Sequence, residues 1–147
     1  MTTDGGAHWR LDRVPGGADL FWDLNCVNSE RCCAAGRIGE RATGHAVMIA
    51  TTKTGAHWRA QTPPRATLTM NGISCVDARH CTSVGFDHNY SSVLVSTADW
   101  GAHWRQQAIP PGATFLSPVW CTTAPQCLAP VTYHYFTGGA ALPAATF

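Results

Sequence analysis

Charge is scarce in this chain. Only 13% of its 147 residues are Asp, Glu, Lys or Arg, against the ~25% usual in a soluble domain. Ten basic and nine acidic residues leave a net charge of +1, and the basic ones, nine Arg and the single Lys53, are scattered along the sequence. Without a basic face there is no electrostatic means of holding nucleic acid or an anionic membrane, so neither is expected as a partner. Long apolar runs are also missing. No stretch approaches the ~20 residues of a membrane-spanning helix, and no membrane insertion is expected. Residues 138–147 are small and apolar but too few to anchor the chain. The opening Met1-Thr2-Thr3-Asp4-Gly5-Gly6 has neither the basic nor the apolar region of a secretory leader. Glutamate is limited to Glu30 and Glu40, and no segment shows a helical period of 3.6. Gly, Thr, Ala and Pro stand in place of charge, a composition suited to a turn-rich all-β chain.

Cysteine, by contrast, is abundant, with seven residues. Six fall into three pairs of one spacing: Cys26 and Cys32, Cys75 and Cys81, Cys121 and Cys127. Local pairs that recur in a loop-rich chain read first as disulfides of an oxidising compartment, extracellular or periplasmic. Reduced core thiols are the second reading. Zinc is a distant third, because C-x5-C departs from the usual ligand spacing and separate repeats would not share an ion. Cys33 is left over, either as a free buried thiol or as a competitor for the partner of Cys26.

The pairs belong to a longer repeat of roughly 48 residues. Thr2-Thr3-Asp4-Gly5-Gly6-Ala7-His8-Trp9-Arg10 returns as Thr51-Thr52-Lys53-Thr54-Gly55-Ala56-His57-Trp58-Arg59 and as Thr97-Ala98-Asp99-Trp100-Gly101-Ala102-His103-Trp104-Arg105. Trp9 to Cys26, Trp58 to Cys75 and Trp104 to Cys121 are each 17 residues. The interval from Cys32 to Thr51 recurs from Cys127 to Thr146, which places Thr146 at the start of a fourth box. One domain over residues 1–147 is expected, with repeats at about 2–50, 51–96 and 97–147. Apolar β-formers between Gly, Pro, Asn and Asp clusters predict four strands per repeat. The first strands are residues 19–26, 68–75 and 114–121. The second are 32–36, 81–85 and 127–131, and the third 45–50, 92–96 and 140–145. The box tryptophans lie on the fourth, 7–11, 56–61 and 102–108.

The box Ser/Thr-x-Asp-x-Gly-x-x-Trp resembles the Asp box, or bacterial neuraminidase repeat, of the sialidase-type β-propeller superfamily, whose members include secreted sialidase-like proteins and photosystem II assembly factors. Thr2, Asp4, Gly6 and Trp9 match it in the first copy. Thr97, Asp99, Gly101 and Trp104 match it in the third. The second keeps Thr51, Gly55 and Trp58 but has Lys53 at the aspartate position. The physics is that of a hairpin turn: a carboxylate accepts backbone N–H groups, glycine supplies positive φ, and the indole buries apolar surface. The resemblance implies an all-β fold of three four-stranded antiparallel propeller blades, an incomplete ring. Three blades do not close a propeller, so the expected partners are a second copy joined head to tail or the remaining blades of a longer chain.

In such families the boxes are structural, and His8, His57 and His103 sit on three different blades, too far apart to share a metal. No metal and no cofactor are expected. The sialidase catalytic set is not carried over either. Arg37-Ile38-Gly39 replaces Arg-Ile-Pro and follows the first box; Glu30 lies on the box side; Glu40 and Asp87 form no marked carboxylate pair. A binding face is expected opposite the boxes, in loops holding Arg37, Glu40 and Arg41, then Asp87, His88, Asn89 and Tyr90, then Tyr133, His134 and Tyr135. The leading expectation is a non-enzymatic binding or scaffold module with a glycan or protein ligand. The alternatives are a fragment of a carbohydrate-active enzyme and an assembly factor for a larger complex. The pairing of six cysteines predicts one thiol per chain, Cys33, on titration under denaturing, non-reducing conditions; a titre of all seven refutes the oxidised reading.

Overall fold

The computed structural model describes residues 1–40, 43–52, 57–109, 116, 118–124, 126–130 and 145–146. A 3-10 turn, Pro15–Gly17, leads into the first strand. The first sheet contains β1 (Leu20–Cys26), β2 (Cys32–Ile38), β3 (His45–Thr51) and β4 (Trp58–Gln61) in sequential order. The second contains β5 (Thr67–Cys75), β6 (Cys81–Asp87), β7 (Ser92–Thr97) and β8 (Arg105–Gln106), again in order. The third has three strands among the described residues, β9 (Trp120–Thr123), β10 (Gln126–Ala129) and β11 (Ala145–Thr146). Among the described residues every pairing is antiparallel and joins successive strands, the meander of a propeller blade.

The first two sheets match the strands expected from sequence to within a residue or two, apart from a shorter β8. Three departures are physical. Residues 7–11 form no strand, whereas the matching β4 and β8 take their ladders from β3 and β7. The third sheet differs as well. β9 begins at Trp120 and β10 ends at Ala129, while 114–115, 131 and 140–144 lie outside the described residues. Finally, the position matching Thr97 should face Cys127, as Thr97 faces Cys81, but Thr146 pairs with Leu128, one residue out of that register.

Apolar side chains alternate along the strands and are buried between sheets. Ala46, Met48 and Ala50 of β3 pack with Cys33 and Ala35 against Met70, Ile73, Val93 and Val95 of the second sheet. Val47 and Ile49, on the opposite face of β3, join Ala34, Phe21 and Trp58. Strand β3 is thus buried on both faces, which its continuous apolar run requires. A second layer joins Val84 and Leu94 to Leu116, Val119 and Ala129.

Hydrogen bonds set the sheets against each other. Asn25 Oδ1 accepts from the Cys75 backbone N–H at 3.1 Å, and Ser74 Oγ accepts from that of Cys121 at 2.9 Å. Asn25 and Ser74 each precede the first cysteine of their pair, so one repeat position makes the same bridge twice. Asp23 Oδ2 adds a bond from Ile73 N–H at 2.9 Å, and Trp22 Nε1–H donates to Thr69 Oγ1 at 3.1 Å. All three cysteine pairs form disulfides, Cys26–Cys32, Cys75–Cys81 and Cys121–Cys127. Cys33 is fully buried and free. It faces the second sheet, so it does not compete for Cys26.

Gly36 and Gly85 occupy matching positions opposite irregularities in β1 and β5. A Cβ there would run into the carbonyl oxygens of Leu20 and Thr69. Backbone cannot swing aside as a side-chain tip can. Gly85→Ala is expected to cost about 2 kcal/mol or more, read as a lower denaturation midpoint in urea with an unchanged slope.

Candidate functional site

The hairpin topology sorts the loops to two ends. The β2–β3 and β6–β7 turns lie at one end of their sheets, and the disulfide loops and boxes at the other. Arg37 is near the end of β2, opposite Leu20 and Ala46. Its Nε is buried and has no hydrogen-bond partner among the described residues. The Glu40 carbonyl closes the following turn by accepting from Thr43 N–H at 3.2 Å and Gly44 N–H at 2.6 Å. Asp19 Oδ2 ties that turn to β1 through Gly39 N–H at 2.6 Å.

The β6–β7 turn is held more tightly. Asp87 Oδ1 accepts from Asn89 and Ser91 N–H, each at 2.8 Å. Asp87 N–H donates to the Ser91 carbonyl and Tyr90 N–H to the Asp87 carbonyl, each at 3.0 Å. These four bonds fix Tyr90 at φ 60°, and the residue is 56% exposed. His88 and Asn89 are exposed beside it. No hydrogen bond or ion pair joins this turn to Arg37 or Glu40 among the described residues. Arg41, Tyr133, His134 and Tyr135 lie outside the described residues.

At the box end, the first and third copies build the same turn. Thr2 Oγ1 accepts from Gly6 N–H at 3.0 Å, and Thr97 Oγ1 from Gly101 N–H at 3.0 Å. Asp4 Oδ1 accepts from His8 N–H at 3.0 Å, and Asp99 Oδ1 from His103 N–H at 2.9 Å. The second carboxylate oxygen of each meets its own histidine Nδ1, at 2.6 and 2.7 Å. The repeat spacing of these histidines sets them on different blades but does not by itself disclose their bond to the box aspartate. The Asp-to-His interval of four residues, kept where Asp is present, is the signal. In the second copy Lys53 to Ala56 lie outside the described residues, as does Gly55; Thr51 is buried at the end of β3, and Trp58 opens β4.

These contacts shift titration. The backbone N–H of His8, and then its ring, lower Asp4 from 3.8 to about 2. The His103 backbone N–H does the same to Asp99, which lies well below the usual carboxylate range. In the second disulfide loop the ring of His80 leads in lowering Asp77 to about 2. Burial pushes the Cys33 thiol up to about 12. The Sγ atoms of Cys33, Cys75 and Cys81 lie within 4.8 Å of one another, but Cys75 and Cys81 are bonded to each other and offer no thiolate.

A cavity of about 750 Å³, which no motif in the sequence signals, lies at the box end between the second and third sheets. Leu94, Thr82, Ser96, Gln107 and the Cys121–Cys127 disulfide are among its lining groups. Its lining combines apolar walls with a few hydrogen-bonding groups, as ligand sites do.

No family model matches the chain, and no curated protein is similar to it. Among solved structures, the chain is similar to YCF48 bound to D1 peptide, with a TM-score of 0.64 and 16% sequence identity. The match covers 80% of this chain and 35% of that one, so the chain spans about a third of that protein's length. Likeness at this identity speaks to the fold, and with the sheet topology it makes this an all-β chain of propeller blades in an open arc.

The lowered aspartates link folding to acid. A folded-state pKa below the unfolded value stabilises the fold above the unfolded pKa, and that contribution disappears as pH falls through the folded one. Thermal melts should therefore lose stability between about pH 4 and about pH 2, and the Asp4→Asn, Asp99→Asn double variant should show a shallower loss. An identical acid slope in the variant would show that the boxes carry none of it.

Proposed function

We propose that this chain is a non-catalytic recognition module of the Asp-box propeller type, working in an exported protein and binding an extended protein segment on the face opposite its boxes. The observation that carries this reading is Tyr90. An aromatic residue without a glycine's freedom has its backbone held in the left-handed region by a turn of four hydrogen bonds and its side chain displayed to solvent. Left-handed backbone costs an ordinary residue about 1–2 kcal/mol, and such strain concentrates at binding sites. A rigid aromatic beside Asp87, His88 and Asn89 presents stacking surface and hydrogen-bonding groups at small ordering cost. The similarity to a propeller that binds a peptide supports a peptide ligand over a glycan. Glu40, Arg37 and Arg41 on the neighbouring turn, and Tyr133, His134 and Tyr135 on the third, extend this proposed face. The three disulfides suit an oxidising compartment, extracellular or periplasmic in this reading.

We read the three repeats, about 2–50, 51–96 and 97–147, as one domain completed from outside. Leu24, Ile73 and Val119 occupy one repeat position. Ile73 and Val119 are 2% and 5% exposed against the preceding sheet, whereas Leu24 is 56% exposed. At the other end Trp120, the counterpart of Asn25 and Ser74, is 72% exposed. Both end faces therefore repeat surfaces that are joined elsewhere in the molecule. A second copy, packed head to tail, covers them in this reading.

Tiled peptide arrays and glycan arrays test the binding face, followed by Tyr90→Gly on the hits. Glycine relieves the left-handed strain, so the variant should melt at the same or a higher temperature while binding its peptide hits at least about tenfold more weakly, a loss of roughly 1.4 kcal/mol. Peptide binding unchanged in this variant removes the Tyr90 turn from the site, and hits confined to glycans overturn the choice of ligand.

A further inference from the structure

We infer that the cavity between the second and third sheets is a socket for an Asp-box hairpin, and that its occupant is the first box of a second copy, with Trp9 entering the cavity. This rests on the head-to-tail self-association proposed above and names the segment and the site that carry it.

The groove between the first and second sheets shows what an occupied socket looks like. Trp104 of the third box is 9% exposed there, among Cys33, Met48, Ala50, Cys75 and Cys81. Its Nε1–H donates to Gln61 Oε1 at 3.1 Å, while Gln61 Nε2–H donates to the Trp100 carbonyl at 2.7 Å. One repeat further on, Cys33, Met48 and Ala50 become Thr82, Leu94 and Ser96. Gln61, three residues after Trp58, becomes Gln107, three residues after Trp104. These four counterparts line the open cavity together with the Cys121–Cys127 disulfide. No tryptophan lines it. Gln107 Nε2 donates to Ser96 Oγ at 2.8 Å, which leaves Gln107 Oε1 to accept an incoming indole N–H as Gln61 does.

The chain also carries an unused plug. Trp9 is 75% exposed and Leu11 is 99% exposed, and the first box belongs to no sheet. Yet its turn is already built with the bonds of the third box: Gly6 to Thr2 at 3.0 Å and His8 to Asp4 at 3.0 Å, against Gly101 to Thr97 at 3.0 Å and His103 to Asp99 at 2.9 Å. A preformed hairpin loses little freedom on docking.

Plug and socket lie at opposite ends of the row of sheets. Met1, Arg10 and Leu11 line a cleft with Phe21, Leu24 and Trp58 on the outward face of the first sheet, whereas the socket opens beyond the second. One copy's plug therefore reaches another copy's socket, a heterologous contact that closes if two arcs complete a ring.

The test uses the full chain, its Trp9→Ala variant, and a capped peptide of residues 2–12. Light scattering should find the full chain self-associated and Trp9→Ala monomeric. The peptide should then bind the monomeric Trp9→Ala chain saturably, a Trp9→Ala peptide should not, and Gln107→Ala in that chain should weaken binding roughly tenfold, as for the loss of one hydrogen bond. Because Gln107 is exposed, its variant leaves the fold intact and keeps the test open where a cavity-filling change disturbs the packing. Association that persists unchanged in Trp9→Ala overturns the plug while leaving self-association standing. A monomeric full chain overturns both, and equal binding of the two peptides overturns the socket.

Discussion

The structure hangs on how one sheet is fixed against the next. The first strand of each sheet is an edge, and the N–H groups on its free side need acceptors once they are buried. Asn25 and Ser74 supply them to Cys75 and Cys121. Because the acceptor sits one residue before a disulfide and the donor is the first cysteine of the next, each bridge is anchored in a covalently closed hairpin. The apolar faces of β3 and β5 then have one mutual position in which Met48 and Met70 are fully buried. The hydrophobic layers supply most of the attraction, being non-directional, and the directional bridges choose the register.

Where this periodic scheme runs out, surfaces open. Trp120 has no oxygen to offer a following sheet, and it stands exposed where Asn25 and Ser74 make their bridges. Leu128, aligned with the buried Cys33, is exposed beside it on the same pair of strands. The outward face of the first sheet presents Leu24 and a cleft under the first box. The two ends of the first two sheets therefore differ. The box end contains the turns, disulfides and grooves through which sheets are locked together. The other end contains the Asp87–Ser91 turn, whose bonds all serve to hold the loop itself.

The box is a local device as well as a packing one. In the first copy its hydrogen bonds form without any neighbouring strand, so threonine, aspartate, glycine and histidine suffice to fold the turn. What the neighbouring sheet adds is burial of the tryptophan, from 75% exposed at Trp9 to 9% at Trp104. Gly101 shows the same division: its φ of 82° is a requirement of the turn, and the closeness of the Gln61 side chain to its missing Cβ is a requirement of the groove.

Much of the fold was legible because it is encoded by position within a repeat. Equal intervals from box tryptophan to cysteine, and from cysteine to cysteine, identify the strands of the first two sheets and the three disulfides. Alternation of apolar residues identifies which of them are buried. Local chemistry made the box turns readable too, though not the bond from His8 to Asp4 or from His103 to Asp99, since a side chain's rotamer is not written in its spacing. The candidate site was legible only as a set of turns at one end. That Tyr90 is held at positive φ is local to the Asp87–Ser91 turn but follows from which of its backbone groups bond Asp87, which spacing does not specify. That Arg37 Nε is buried and that Trp104 fills a groove whose next copy is open depend on neighbours from other strands. The unit, its pairing order and its covalent closures can be read from the chain alone, because they involve residues near one another along it. Which copies of a position are buried and which remain open is set by packing in three dimensions, because it depends on whether another sheet lies alongside.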